Sequence, residues 1–205
     1  MIAGNSRASL KASDRGPVKG YYVFSAHINE SLTLRLLEER HADVVFHLLT
    51  QNREHLQTEL EWLSEPFALA DVQAYIRAGL DRFAANNGLR AGIWTHNQFA
   101  GIVSLHSLVW ADRKASLGYW LGATFQGRGL VSQACQHVLN HAFHELQLQR
   151  VEIQCGADNQ RSRKIAERLG FTYEGTIRQS WWSQERFVDM AIYGLLAAEW
   201  RERAA

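Results

Sequence analysis

The segment from residue 115 to residue 132 has the arrangement of an anion site. The apolar run at residues 115–121 predicts a strand, the turn Gln126-Gly127-Arg128-Gly129 follows, and an amphipathic helix is predicted from Leu130 onward. The start of a helix presents backbone N–H groups that have no partner within the helix, and the helix dipole favours negative charge there. Glycine in the turn lets a ligand approach the backbone closely. The segment therefore predicts a site for a phosphate or pyrophosphate.

A second polar cluster lies further along the chain, between a predicted strand at residues 150–155 and a predicted helix. Asp158 and Asn159 are residue types that cap the start of a helix, and Gly170 is the type that ends one in a left-handed conformation. The glycine turn before Leu130 matches neither the dinucleotide fingerprint G-x-G-x-x-G nor the phosphate loop G-x-x-x-x-G-K-[ST]. Neither of those two classes of nucleotide site is predicted.

Taken in order, these motifs resemble the GNAT-type N-acetyltransferases. Gln126 and Gly129 match the pyrophosphate loop of that family, and Val131 stands where the family has Gly or Ala. The strand before the loop, the D-N-x-x-S motif and the E-R-x-G-F-x-x-E-G ending are similar to the RimJ and RimL branch, the N-terminal alanine and serine acetyltransferases of ribosomal proteins. Here they read Leu117-Gly118-Tyr119-Trp120-Leu121, Asp158-Asn159-Gln160-Arg161-Ser162, and Glu167 to Phe171 with Glu174-Gly175. The similarity covers about residues 28–201.

The resemblance implies acetyl-CoA as co-substrate and no metal. In such relatives the cofactor wedges between two splayed parallel strands, here residues 115–121 and 150–155. A backbone N–H near Trp120 or Leu121 would donate to the acetyl carbonyl and polarise the thioester. Asn159 would contact the pantetheine arm, and Arg161 and Lys164 could reach the adenosine phosphates. The residues implied for the cofactor site are Tyr119, Trp120, Leu121, Gln126, Gly127, Arg128, Gly129, Leu130, Val131, Ser132, Asn159, Ser162 and Lys164.

Direct attack of a neutral amine on the thioester requires a base, an oxyanion site and an acid that protonates the thiolate. The resemblance makes Ser162 the acid and adds Asn159 to the catalytic set, while capping of the helix start is the structural alternative for both. The base is left unassigned. Its candidates are Glu174, His106, Ser116, Glu61 and Glu65, and Trp181 stands where one relative has a glutamate.

The hydrophobic pattern predicts one mixed α/β domain at residues 26–205, after a flexible tail at residues 1–25. The predicted order is β–α–α–β–β–β–α–β–α–β–β, with no internal repeat. His96-Asn97 is a predicted hairpin turn, and the chain after Phe171 is predicted to form a closing hairpin. The resemblance implies the GNAT fold, with a central splayed, mostly antiparallel sheet flanked by helices.

Composition excludes several function classes. The 22 basic residues nearly balance the 21 acidic ones, which argues against a nucleic-acid partner. No apolar run has the length of a membrane span, and the histidines lack the spacing of metal ligands. Cys135 and Cys155 are isolated in apolar segments, so we expect buried, reduced thiols in a cytoplasmic protein.

The acceptor is predicted from the branch resemblance alone. It implies the α-amino group of a protein N-terminus, such as that of a ribosomal protein, and therefore a cleft open to an extended peptide. The alternatives are a small-molecule acetyltransferase acting on a polyamine, an aminoglycoside or an amino-acid-like toxin, and a non-catalytic acyl-CoA-binding module.

The tryptophans provide further expectations. Trp120 and Trp200 are predicted core residues. One of the neighbours Trp181 and Trp182 should line the acceptor cleft or a homodimer surface, because adjacent strand residues face opposite sides. Trp62 and Trp110 are candidates for the same role, and a homodimer through the final hairpin is a hypothesis.

Overall fold

The computed structural model describes residues 25–58, 60–63, 66–183 and 185–204, which form a central sheet with helices on both faces. The strands are β1 (Ser25–His27), β2 (Leu32–Leu36), β3 (Leu89–Thr95), β4 (Gln98–Val109), β5 (Lys114–Leu121), β6 (Arg150–Gly156), β7 (Thr172–Ser183) and β8 (Arg186–Leu196). The helices are α1 (Ala42–Gln51), α2 (Arg53–Leu56), α3 (Leu69–Ala84), α4 (Leu130–Asn140), α5 (Gln160–Leu169) and α6 (Ala197–Ala204).

The eight strands are ordered β1-β2-β3-β4-β5-β6-β8-β7. All neighbouring pairs are antiparallel except β5 and β6, which are parallel. This arrangement confirms the predicted mixed α/β fold with a mostly antiparallel sheet. The parallel pair is joined by a crossover through α4, as parallel strands require.

Two hydrophobic cores lie on opposite faces of the sheet because successive strand residues alternate between faces. Ile93 and Val103 belong to the core that contains α4, while their neighbours Trp94 and Ile102 belong to the core under α1 and α3. Trp120 faces the α1–α3 side, and Leu121 faces the α4 side. Side chains on both faces of β5 therefore pack in the two cores, so a ligand can reach this strand only along its backbone edge.

Most predicted elements are confirmed, and the errors are at the ends and in short segments. The predicted hairpin turn has both His96 (φ 47°) and Asn97 (φ 62°) in the left-handed region, as a two-residue hairpin turn requires. The sequence reading missed β1, α2 and α6. Ser25, assigned to the tail, already pairs with Arg35, and residues 1–24 of the predicted tail lie outside the described residues.

Candidate active site

The parallel strands β5 and β6 separate after a short paired stretch. They pair at Lys114 with Arg150, Ala115 with Val151 and Ser116 with Glu152, and the pairing ends there. The remaining half of β5 therefore has one backbone edge that no β6 residue covers. The predicted splay of these two strands is present.

The hydrogen-bond pattern shows which residues of β5 face the gap. Gly122 N–H donates to the Ala100 carbonyl at 2.9 Å, on the β4 side. Because bonded and non-bonded pairs alternate along an antiparallel ladder, the backbone groups of Trp120 also face β4. Those of Tyr119 and Leu121 face the opposite way, into the gap. Of the two residues named for a backbone donor to an acetyl carbonyl, only Leu121 therefore has its N–H on the gap side, since the Trp120 N–H faces β4.

A cavity of about 810 Å³ occupies this gap, between α2, the β5–α4 loop, the start of α5 and the β7–β8 hairpin. Every residue that the sequence analysis placed at the cofactor site lines it: Tyr119, Trp120, Leu121, the seven residues Gln126 to Ser132, Asn159, Ser162 and Lys164. Several lining side chains are exposed, including Arg128 and Arg186, so the cavity opens to solvent.

The β5–α4 loop has the geometry of an anion cradle. Gly129 caps α4 in a left-handed conformation (φ 71°), and the first residues of the helix, Leu130 to Ser132, line the cavity, so the N–H groups that a helix start leaves without intrahelical partners lie at its wall. Val131, the departure from the family pattern, is only 8% exposed and packs in the α4-side core. Its larger side chain therefore points away from the loop and leaves the backbone donors accessible to a phosphate.

Positive charge surrounds this cradle. The basic side chains that line the cavity are Arg128, Arg161, Lys164, Arg168 and Arg186. Among the described lining residues, Asp158 is the only carboxylate, and it pairs with Arg186 at 3.5 Å. The cavity thus combines helix-start donors with a net positive field, an arrangement that favours a polyphosphate ligand.

The two residues predicted to be catalytic, Asn159 and Ser162, lie at the start of α5 and make different hydrogen bonds. Asn159 Oδ1 accepts from Ser162 N–H at 3.0 Å, so Asn159 is the N-cap of the helix. The Ser162 hydroxyl instead lies 3.0 Å from the Tyr119 hydroxyl, and that phenol also donates to the Ser162 carbonyl at 3.3 Å. The Ser162 side chain is therefore not used to cap the helix, and its hydroxyl can exchange a proton with the Tyr119 hydroxyl. The Asn159 side chain caps the helix in addition to any contact with a ligand.

His55 is a cavity residue that sequence reasoning missed. It lies on α2 and faces Gln126 of the loop, with 2.7 Å between the imidazole Nε2 and the amide Nε2. Gln126 Oε1 accepts from Arg161 at 3.2 Å. Burial lowers the pKa of His55, the charge of Arg161 lowers it further, and a hydrogen bond to the Leu121 backbone opposes both. The contact joins residues 71 positions apart, so no local pattern could have indicated it.

The structure removes three of the predicted base candidates from the cavity. Glu174 is ion-paired with Arg150 at 2.7 Å, and this hydrogen bond lowers the pKa of the carboxyl. His106 and Ser116 are paired with each other across β4 and β5, and neither lines the cavity. Burial lowers the pKa of His106, beside Arg82 and Arg90. Glu65 and the side chain of Glu61 lie outside the described residues.

The tryptophans divide between the cores and the surface. Trp120 and Trp200 are buried, as predicted. Trp62 stacks against Phe67 and Tyr75. Trp110 donates to the Asn86 carbonyl at 2.8 Å. Neither Trp62 nor Trp110 lines the cavity, so their predicted role at the acceptor cleft or a homodimer surface stays a prediction.

The adjacent pair on β7 separates as the strand period requires. Trp181 lies opposite Val188 and on the same face of β7 as Ser183. Val188 and Ser183 line the cavity. Trp182 faces the other side, is 49% exposed and packs edge-on against Phe187 with ring centroids 4.8 Å apart.

The described residues contain no cluster of His, Cys, Asp and Glu that could hold a metal ion. Cys135 and Cys155 are buried and unlinked, as predicted, and burial raises the pKa of the Cys135 thiol. Within the described ranges, no helix is both long enough and apolar enough to cross a membrane.

Comparison with known proteins places these features in a family. Residues 31–172 match the model of the Acetyltransferase (GNAT) domain. The putative ribosomal N-acetyltransferase YdaF of Bacillus subtilis is 35% identical over 179 residues, which make up 87% of this chain and 98% of that protein. The ribosomal-protein-serine acetyltransferase of Escherichia coli is 27% identical over 166 residues, covering 81% of this chain and 93% of that protein.

Solved structures agree with the sequence matches. The RimL ribosomal L7/L12 alpha-N-protein acetyltransferase in complex with coenzyme A superposes with a TM-score of 0.81 at 26% identity, covering 84% of this chain and 98% of that one. The microcin C7 self-immunity acetyltransferase MccE, in complex with acetyl-CoA and AMP, superposes with a TM-score of 0.78 at 28% identity, covering 82% and 94%.

Proposed function

Because the chain belongs to the GNAT acetyltransferase family, whose members use acetyl-CoA as co-substrate, we propose that it acetylates the α-amino group of a protein N-terminus, specifically that of a ribosomal protein. The observation that carries the proposal is the gap between β5 and β6, where a cavity combines a strand edge that β6 does not pair with, a helix-start anion cradle and a hydroxyl pair. We further propose that the enzyme acts in the cytoplasm.

The edge of β5 that faces the gap suits the pantetheine arm of acetyl-CoA, because β6 does not pair with it beyond Ser116. This arm carries two amide groups, which can lie along the strand and hydrogen-bond to its backbone as an added strand would. The pyrophosphate then rests on the N–H groups at the start of α4. In this arrangement one of the two gap-facing N–H groups of β5 donates to the acetyl carbonyl and stabilises the oxyanion that forms on attack.

Ser162 is the proposed acid for the leaving thiolate. Its hydroxyl is within hydrogen-bond distance of the Tyr119 phenol, and both line the cavity. As the C–S bond breaks, the sulfur takes a proton from Ser162, and Tyr119 replaces it through the hydrogen bond between the two hydroxyls. The pair keeps a proton available at the sulfur without a charged side chain beside the thioester.

The charge of the cavity favours a peptide acceptor over a polyamine. A polyamine carries several positive charges and requires carboxylates to bind it. Of the described lining residues only Asp158 offers one, and Arg186 already pairs with it. A peptide N-terminus brings a single amine and needs a cavity that is open to solvent, as the exposed lining residues Arg128 and Arg186 indicate.

The test is release of free CoA from acetyl-CoA by the purified protein with different acceptors. We expect turnover with peptides that carry ribosomal-protein N-termini, and rates lower by at least about tenfold with spermidine or aminoglycosides, since one unfavourable charge contact costs about 1.4 kcal/mol or more. N-terminally blocked peptides with an internal lysine provide the matched control.

Other outcomes would redirect the proposal. Faster turnover with spermidine than with every peptide would mean that the protein is a small-molecule acetyltransferase instead. Acetyl-CoA binding without turnover on any amine would make the chain an acyl-CoA-binding module.

A further inference from the structure

Elimination within the cavity leaves few groups that could accept a proton from the amine. The basic lining residues are already protonated, and Asp158 is ion-paired and mostly exposed. The Tyr119 phenol is a weak acid engaged with Ser162. Of the described residues that line the cavity, His55 is the only one whose ordinary pKa lies near neutrality.

The hydrogen bonds around His55 define its proton state. A guanidinium can only donate, so the Gln126 oxygen faces Arg161 and the amide nitrogen faces the imidazole. An amide nitrogen also only donates, so the imidazole Nε2, 2.7 Å away, must be the acceptor. This network fits a neutral histidine whose Nε2 lone pair accepts from the Gln126 amide at the wall of the cavity.

We propose that His55 is the general base of the reaction: its Nε2 takes a proton from the ammonium form of the acceptor, directly or through one water. The assignment rests on the proposed acetyl transfer to an N-terminal amine. It places the base beside Leu121, one of the two residues whose backbone faces the gap, on the side of the cavity formed by α2. Ser162 and Tyr119 border the same cavity from α5 and β5.

The protons and electrons balance without another reactant. The ammonium gives one proton to His55, and the freed nitrogen lone pair forms the C–N bond with the thioester carbon. The C–S bond breaks, and the sulfur takes the proton of the Ser162 hydroxyl. Tyr119 then gives its proton to Ser162, and the second proton of the nitrogen replaces the one that Tyr119 gave. The products are the amide, free CoA and a protonated His55, which returns its proton to water. The Gln126 amide donates to Nε2 before the reaction, so it must rotate to release the Nε2 lone pair for the incoming proton; the rotated amide then presents Oε1 to the protonated ring.

The surroundings of His55 keep it neutral before the reaction. Burial and the charge of Arg161 on α5 both lower its pKa from the ordinary 6.5. The hydrogen bond to the Leu121 backbone acts in the opposite direction. Arg128, Lys164 and Arg168 are further cations of the cavity wall, and Arg53 and Glu54 precede His55 on its own helix. A base with a lowered pKa stays unprotonated at pH 7 and can accept a proton there.

The experiment compares the pH dependence of kcat/KM for the wild type and His55→Gln with a peptide acceptor. Without the base only the free amine reacts, so the variant should lose activity about tenfold per pH unit below the amine pKa of about 8. We expect a deficit of about 100-fold at pH 6.5 that shrinks to less than about tenfold at pH 9. Added imidazole should restore part of the activity of His55→Ala.

His106→Gln is the matched control, because burial also lowers the pKa of His106, which lies outside the cavity. It should retain the wild-type profile. The proposal would be overturned if His55→Gln lost the same factor in kcat/KM at every pH and also bound acetyl-CoA more weakly. His55 would then only hold Gln126 in position. No turnover by the wild type on any peptide would instead refute the proposed function itself.

Discussion

Replacing Ser162 with alanine should lower kcat for peptide acetylation by about 100-fold, because the thiolate then leaves without a positioned proton donor. The Kd for acetyl-CoA should stay close to the wild-type value. The N-cap bond of α5 uses the backbone N–H of residue 162, which alanine retains, so the fold should be kept as well. Steady-state kinetics and calorimetric binding of acetyl-CoA measure the two quantities separately.

Tyr119→Phe tests whether the two hydroxyls act in series. We expect a smaller loss of about tenfold in kcat, and a double variant no worse than Ser162→Ala, since groups that act as one unit are not additive. Ser180→Ala and Tyr173→Phe remove the same groups from exposed positions on β7, outside the cavity, and should have wild-type kcat. Full activity in Ser162→Ala would eliminate Ser162 as the acid.

Gly101→Ala should lower the free energy of unfolding by about 3 kcal/mol, since overpacking a buried site forces the backbone to move. A methyl group on Gly101 would collide with the Trp120 carbonyl oxygen and lie 2.9 Å from Leu121 Cα. Both are backbone atoms of β5 and cannot rotate away. The displaced strand carries the gap-facing edge, so acetyl-CoA affinity should fall in the same variant. Denaturant unfolding and calorimetry measure the two effects.

Gly79→Ala provides the matched comparison for this substitution. The added methyl group there meets only the side chain of Arg90, at 3.2 Å and beyond, and alanine is a better helix former than glycine within α3. Its unfolding free energy should change much less. Equal losses in the two variants would mean that the backbone contact at Gly101 has no special cost. Unchanged stability and affinity in Gly101→Ala would mean that β4 and β5 adapt freely and that the strand edge is not rigid.

The fold and the lining of the candidate cofactor cavity were largely predictable because their signals are local. The apolar spacing along α4, the glycine turn before it and the Asn159 cap of α5 each depend on residues a few positions apart. All the residues that the sequence implied for the cofactor site do line one cavity. The short β1 and α2 were missed because three or four residues carry too little periodicity to be recognised.

The positions of the side chains considered for proton transfer were decided by tertiary packing. Glu174 and His106 have suitable side chains, but the sheet register directs one to Arg150 and the other away from the cavity. The pair of Tyr119 with Ser162 and the contact of His55 with Gln126 join elements that are distant in sequence.

The sequence by itself determined the elements, their caps and the anion cradle, since backbone conformation responds to near neighbours. Only the tertiary structure decided which side chains face the thioester, because that depends on how β5 and β6 separate and on where α2 packs against the loop.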